Sequence, residues 1–206
     1  WADGPSCMFA TGLLDARTDE RFAGMFEYLQ QTWGTMIGLT NRMDEPAELG
    51  RRNPFWYVNS SERGYFQNFL ARGEIEKALL ILYSNLAYGF SQDCYQGVER
   101  IHVSDANYSP FQPNASGNGR VLDMLRRMII DDQDPGVIWL LRGCPRRWFA
   151  PGQSVVVEDA PTCWGKMAVR TRADENTVTV HVAPPSAGQK VELRVVVRHP
   201  SGKPPS

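Results

Sequence analysis

The feature that most constrains the fold is a change in hydrophobic period near residue 137. Before it, apolar residues recur every three or four positions, as they do along one face of an α-helix. After it, apolar and polar residues alternate, as they do in a half-buried β-strand. This order predicts an α+β chain in two segments. We place helical hairpins at residues 1–135, an antiparallel β-sandwich-like module at 136–200 and a flexible tail at 201–206.

Four stretches of the first segment carry the helical pattern. The first runs from Phe22 to Ile37 with apolar residues at helical spacing, and Gly73 is a natural end for the second. The third is apolar on more than one face, which predicts a largely buried helix. Asn114 or Ser116 can cap the fourth. The predicted helices are 19–37, 60–72, 74–90 and 116–130.

Five stretches of the second segment carry the strand pattern, with turn residues such as 174–176 between them. Alternation of this kind is typical of a half-buried antiparallel sheet. The predicted strands are 137–141, 154–158, 166–172, 177–183 and 190–198.

The charge balance and apolar runs exclude several classes of partner. The 206 residues carry a net charge of −1, so the basic excess of a nucleic-acid-binding protein is absent. No apolar run approaches the roughly 18 residues that span a bilayer, and no signal-peptide pattern opens the chain. The sequence predicts a soluble chain without assigning a compartment. Because it opens on Trp1 in a turn-rich stretch, we expect it to be a piece of a longer protein.

The four cysteines are far apart and show no spacing typical of zinc ligands. We therefore expect neither a metal site nor a cofactor, and we interpret the cysteines as scattered buried thiols. Their spacing alone leaves a disulfide open.

Two long connections, 38–58 and 91–115, separate the predicted helices, whereas Gly73 alone joins the middle pair. Long ordered connections are disproportionately functional. Both precede the second or fourth helix, so in an up-down array they lie at the same end. Both are also rich in polar and aromatic residues, which is the composition of a ligand site.

Antiparallel helix pairs with long loops at one end, followed by a β-module, resemble the C-terminal portion of the six-hairpin (α/α)6-toroid glycosidases. The resemblance covers most of the chain. It implies that 19–37 and 74–90 are outer helices, that 60–72 and 116–130 are inner helices, and that the long loops line a carbohydrate cleft. It also implies that the remaining toroid helices come from the same precursor or from another chain.

Glycoside cleavage typically uses two carboxyl groups, one as proton donor and the other as base or nucleophile. Glu99 is the preferred catalytic residue, as the base, with its partner acid on the remaining helices or at Glu45; Asp105 is a further candidate. Other loop side chains can hold sugar hydroxyls or stack on a sugar ring. These predicted substrate-binding residues are Trp56, Tyr57, Arg100, His102, Asn107, Tyr108, Gln112 and Asn114.

Structural roles compete with these assignments. Glu99 beside Arg100 is also what a surface ion pair looks like. Asp105 suits the cap of a turn. His102, flanked by apolar residues, suits a structural role, and Trp56 is an equally good core anchor.

Two further clusters have structural interpretations. The glycine-rich run 113–120 lacks the phosphate-binding pattern GxxxxGK[ST], so we assign Gly117 and Gly119 to close packing beside the capped helix. Arg142, Arg146, Arg147 and Trp148 lie where helices give way to strands, and we interpret them as an interdomain seam.

The sequence thus favours part of a carbohydrate-active enzyme that hydrolyses glycosidic bonds in oligo- or polysaccharides. The main alternative is a non-catalytic carbohydrate-binding or assembly module. In a third interpretation the chain is purely structural, and an apolar helix face that it leaves open drives assembly.

Overall fold

The computed structural model describes residues 8, 11, 13–32, 35–40, 56–58, 62–91, 93–102, 113–186 and 190–202. These residues form helices and small, mostly antiparallel sheets, so the fold is mixed α+β, as the period change predicts. The chain divides into two compact units, residues 1–125 and 126–206. That division falls about ten residues before the predicted boundary at 135, inside the last helix.

The four predicted helices are all present among the described residues, with slightly different ends. Gly73 ends the second helix with a positive φ of 78°, the conformation that glycine adopts most easily. The helices are α1 (Glu20–Thr32), α2 (Glu62–Arg72), α3 (Ile75–Tyr88) and α4 (Ala115–Ile129).

The prediction that the first helix continues to Ile37 is wrong. The chain instead forms a short hairpin of β1 (Thr35–Met36) and β2 (Leu39–Thr40). Its two turn residues, Ile37 and Gly38, have φ values of 50° and 80°, as in the mirror-image turns that suit two-residue hairpins. The Ser84 hydroxyl of α3 donates a 2.5 Å hydrogen bond to the Ile37 carbonyl. This tertiary contact helps to hold a turn that helical periodicity does not reveal.

Helix α2 packs against both α1 and α3. All seven residues from 64 to 70 are buried. The ring of Phe26 on α1 meets the rings of Tyr65 and Phe69 edge to face, with centroids 5.1 and 4.8 Å apart. Such aromatic pairs add directional attraction to the burial of apolar surface.

Helix α3 is less buried than its apolar composition predicts. Ile81 and Leu82 lie in the core, but Leu80, Tyr83 and Leu86 are exposed. These three are spaced by three residues and form one apolar face of the helix. The prediction of a largely buried helix is therefore wrong for this face.

The described residues of the second unit form two three-stranded sheets. One has the order β10-β6-β5 and the other β7-β8-β9. All five predicted strands are present, and β5, which directly follows α4, is an addition. The strands are β5 (Ile130–Asp131), β6 (Val137–Leu140), β7 (Val156–Thr162), β8 (Gly165–Ala173), β9 (Val178–Ala183) and β10 (Glu192–Val195).

The pairing of β6 with β10 is parallel, which corrects the prediction of a wholly antiparallel module. The register places Val137 opposite Glu192 and Leu140 opposite Val195. The intervening strands β7 to β9 form an antiparallel meander, with an irregularity between Val157 and Ala160. One apolar core joins residues of both sheets. Its buried members are Ile130, Ile138, Leu140, Leu141, Cys144, Phe149, Ala160, Met167 and Val169.

None of the helices among the described residues has the length and apolar character needed to cross a membrane. The predicted flexible tail is described only at 201–202, where the chain turns; residues 203–206 lie outside the described part.

Candidate functional site

The two long connections meet in a short antiparallel pair of strands. Strand β3 (Trp56–Val58) ends the first connection, and β4 (Arg100–His102) lies within the second. The register places Trp56 opposite His102, Tyr57 opposite Ile101, and Val58 opposite Arg100. Four of the predicted substrate-binding positions therefore occur on one pair of strands.

Several predicted site residues lie outside the described part of the chain. These are Glu45, Asp105, Asn107, Tyr108 and Gln112. Trp56, Tyr57, Arg100 and His102 are placed by their backbones. The roles assigned to all nine residues remain predictions.

Glu99 lies directly before β4 and is partly buried. The two residues before it are held by backbone hydrogen bonds. The Val98 N–H donates to the Gly89 carbonyl at 3.0 Å, and Val98 is fully buried. The Gly97 carbonyl accepts a 2.8 Å hydrogen bond from the Asn114 N–H. The carboxylate thus follows a segment anchored to the end of α3 and to the start of α4.

Asn114 caps α4, as predicted. Its Oδ1 accepts a 2.6 Å hydrogen bond from the Gly117 N–H, which is one of the N–H groups that a helix start leaves without an internal partner. This contact engages the amide oxygen that we also assigned to sugar binding.

The glycine that packs closely beside α4 is Gly97. A Cβ at Gly119 meets nothing within 4 Å, so the predicted close packing at Gly119 is wrong. A Cβ at Gly97 lies 2.3 Å from Asn118 Oδ1 and 3.0 Å from the Asn114 carbonyl oxygen. Spacing in the sequence gives no sign of this approach, because Gly97 and α4 are joined by the long connection.

A compact turn precedes Gly97. The Ser91 hydroxyl accepts from the Gln96 N–H at 3.1 Å and lies 3.3 Å from the Cys94 Sγ. Hydrogen bonds from Cys94, including one from its backbone N–H at 2.8 Å, lower the pKa of Asp93. This part of the second connection is ordered by its own polar groups.

A second charged cluster, which the sequence did not reveal, lies in the second unit. Asp131 is fully buried and pairs with Arg127 at 3.1 Å and with Arg142. Asp132 pairs with Arg126 through two hydrogen bonds of 2.9 Å. Arg142 therefore has a partner, Asp131, inside the second unit. Two arginines at 126–127 are followed by two aspartates at 131–132, and this sequence pattern could have indicated the ion pairs.

Trp139 of β6 lies beside this cluster. The guanidinium carbons of Arg142 and Arg194 are 4.9 and 5.0 Å from its ring centroid, within cation-π range. Its indole N–H donates to Asp134 at 2.7 Å. These contacts hold the Trp139 side chain in one orientation and give its indole N–H a hydrogen-bond partner.

The Asp132 carboxylate of this cluster shifts the pKa of a nearby thiol, that of Cys163. Burial acts to raise the pKa of Asp132, but hydrogen bonds from Arg126 and the Cys163 N–H and the charge of Arg126 outweigh it and lower that pKa. The negative charge of Asp132 in turn raises the pKa of Cys163. Cys163 and Cys94 are exposed and Cys144 is buried. The interpretation of the cysteines as buried thiols therefore holds for Cys144 among these three.

Within the described ranges, no group of three or more His, Cys, Asp or Glu side chains is arranged to hold a metal ion. Comparisons of the chain with protein-family models, with curated proteins and with solved structures find no match in any of the three.

Proposed function

We propose that this chain is part of a carbohydrate-active enzyme that hydrolyses glycosidic bonds, with its sugar site at the β3–β4 pair. The observation that carries the proposal is the register of these strands. It joins two sequence-distant connections and brings the Trp-Tyr pair of one beside the Arg and His positions of the other. Aromatic and hydrogen-bonding residues converging on one place are what a sugar site requires.

In the proposed reaction Glu99 acts as the base. It removes a proton from water as that water attacks the anomeric carbon, while a second carboxylic acid gives a proton to the leaving oxygen. Glu99 directly precedes β4, so its backbone lies next to the strands that hold the sugar. The partner acid lies on the remaining helices or at Glu45.

The proposal includes an architecture beyond the mixed α+β fold. We assign α1 to α4 to the closing hairpins of an (α/α)6 toroid, followed by a sandwich-like β-module. Two observations support this assignment. Helix α2 is buried from residue 64 to residue 70, as an inner helix would be. Helices α1 and α3 have exposed residues along one side, as outer helices would.

The test uses the native protein, purified with any polypeptide that accompanies it and sized by light scattering and intact mass spectrometry. Reducing ends released from a panel of neutral and acidic polysaccharides measure turnover, and calorimetry measures binding. Glu99→Gln is expected to lower kcat by about 10²- to 10⁴-fold while binding is retained. Glu175→Gln, in the exposed turn before β9, is the matched control and should leave both unchanged.

The outcomes separate the two functions. If polysaccharide is bound and never cleaved, the non-catalytic alternative replaces the enzyme. If cleavage occurs and Glu99→Gln cleaves at the rate of the unaltered protein, the role of Glu99 is refuted. If no member of the panel is bound or cleaved, the carbohydrate proposal is wrong.

A further inference from the structure

The segment that leads into Glu99 is fixed on two sides. On one side, Phe90 and Gly97 form an antiparallel bridge, and the Val98 N–H is bonded to the Gly89 carbonyl. On the other side, the Gly97 carbonyl accepts the Asn114 N–H at the cap of α4. Glu99 comes two residues after the point where these contacts meet.

The contact between Gly97 and α4 depends on the absence of a side chain. A Cβ at this position would lie 2.3 Å from Asn118 Oδ1 and 3.0 Å from both the Asn114 oxygen and the Asn118 nitrogen. The Asn118 side chain can rotate away, but the two backbone atoms belong to the capped first turn. The φ of Gly97 lies outside the left-handed range, so crowding alone makes alanine unfavourable there.

We propose that Gly97 is a positioning residue, which sets the place of the Glu99 carboxylate by seating the chain against the first turn of α4. This inference rests on the proposed function, in which Glu99 acts on the sugar. A side chain at Gly97 displaces the segment from α4. Val98 is fully buried and hydrogen bonded, so it has little room to absorb the displacement before Glu99.

The expected effect falls on the chemical step. A base displaced by about 1 Å loses alignment with its water, which costs on the order of 10²-fold in rate. Sugar binding at β3–β4 uses other residues and should change little. Gly97→Ala is therefore expected to lower kcat by about 10²-fold with KM within about threefold.

The experiment compares Gly97→Ala with Gly119→Ala in the native protein. Gly119 lies on α4, the helix that Gly97 contacts. A Cβ at Gly119 meets nothing within 4 Å, so this control should retain full kcat. The double variant Gly97→Ala with Asn118→Ala removes the nearest clashing atom and should restore part of the lost kcat relative to Gly97→Ala. A role confined to folding would lower the amount of active protein and leave the kcat of each active molecule unchanged.

Titration of active sites normalises each rate to the folded, active fraction. A normalised kcat for Gly97→Ala equal to that of Gly119→Ala overturns the inference, as does a loss that appears in KM alone. Glu99→Gln distinguishes the two proposals. If Glu99→Gln abolishes turnover and Gly97→Ala does not reduce it, only the positioning role fails. If Glu99→Gln keeps normal turnover, the proposed role of Glu99 is refuted, and the positioning role that rests on it is refuted with it.

Discussion

Asp131 is expected to be the most sensitive charged residue of the second unit. Its carboxylate is fully buried and accepts hydrogen bonds from Arg127 and Arg142, whose side chains are 14% and 7% exposed. Asp131→Ala would leave two nearly buried guanidinium groups without this anion. Arg142 depends on it strongly, because its buried Nε has no hydrogen-bond partner among the described residues.

The magnitude follows from burial. Removing one partner of a buried ion pair costs about 3–5 kcal/mol, because the remaining charge is left desolvated and uncompensated. Glu158, which pairs with Arg170 at 2.7 Å, gives a matched comparison in the same unit. Those side chains are 50% and 64% exposed, so Glu158→Ala should cost no more than about 1 kcal/mol.

The assay is urea unfolding followed by tryptophan fluorescence and by circular dichroism, with each transition fitted separately because the chain has two units. Trp139, one of six tryptophans, stacks with Arg142, so its share of the emission responds to the cluster. Asp131→Asn keeps an acceptor without the charge and should fall between the other two variants. A free-energy loss for Asp131→Ala no larger than that for Glu158→Ala would refute the reasoning.

Three further predictions concern Asp132 and the thiols. The folded-state pKa of Asp132 is lowered from 3.8, so its stabilisation is present above that value and is lost as the pH falls through the folded pKa. Asp132→Asn should therefore reduce the acid sensitivity of the melting temperature as the pH falls below 3.8, and an unchanged profile would contradict this. Burial raises the pKa of Cys144 to about 12, so iodoacetamide at about pH 8 should label Cys94 and Cys163 but not Cys144 in folded protein. Asp132→Asn should also speed alkylation of Cys163, measured by peptide mass spectrometry, because the Asp132 charge raises that thiol's pKa.

Hydrophobic periodicity predicted the elements whose burial is one-sided. Helix α4 buries helically spaced positions, β8 buries alternate ones, and β9 alternates between half-buried and exposed residues. Each lies close to its predicted range. Periodicity failed where a tertiary contact decides the conformation. Ile37 continues the apolar spacing of α1 yet adopts a positive φ in a turn bonded to Ser84. The parallel partner of β6 was missed because alternation along a strand carries no information about its neighbour's direction.

The sequence predicted that the two long connections lie together, but it did not predict the contacts within the candidate site. Loop length and composition indicated that the two connections belong together, and strands β3 and β4 show them paired. The contacts that hold the segment before Glu99 could not be predicted, since they depend on Gly97 meeting Asn114 and Asn118 across the second connection. The pairing of Asp131 with Arg142 likewise depends on how β5 and the end of β6 approach each other.

The parallel pairing of β6 with β10 has a consequence for synthesis of the protein. Strand β6 leaves the ribosome soon after β5, but the edge that β10 occupies stays open until residues 141–191 have followed. An open strand edge offers unpaired N–H and C=O groups to other chains. The nascent protein is therefore open to pairing with other chains at this edge between the emergence of β6 and that of β10, and slower translation of 141–191 would lengthen that interval.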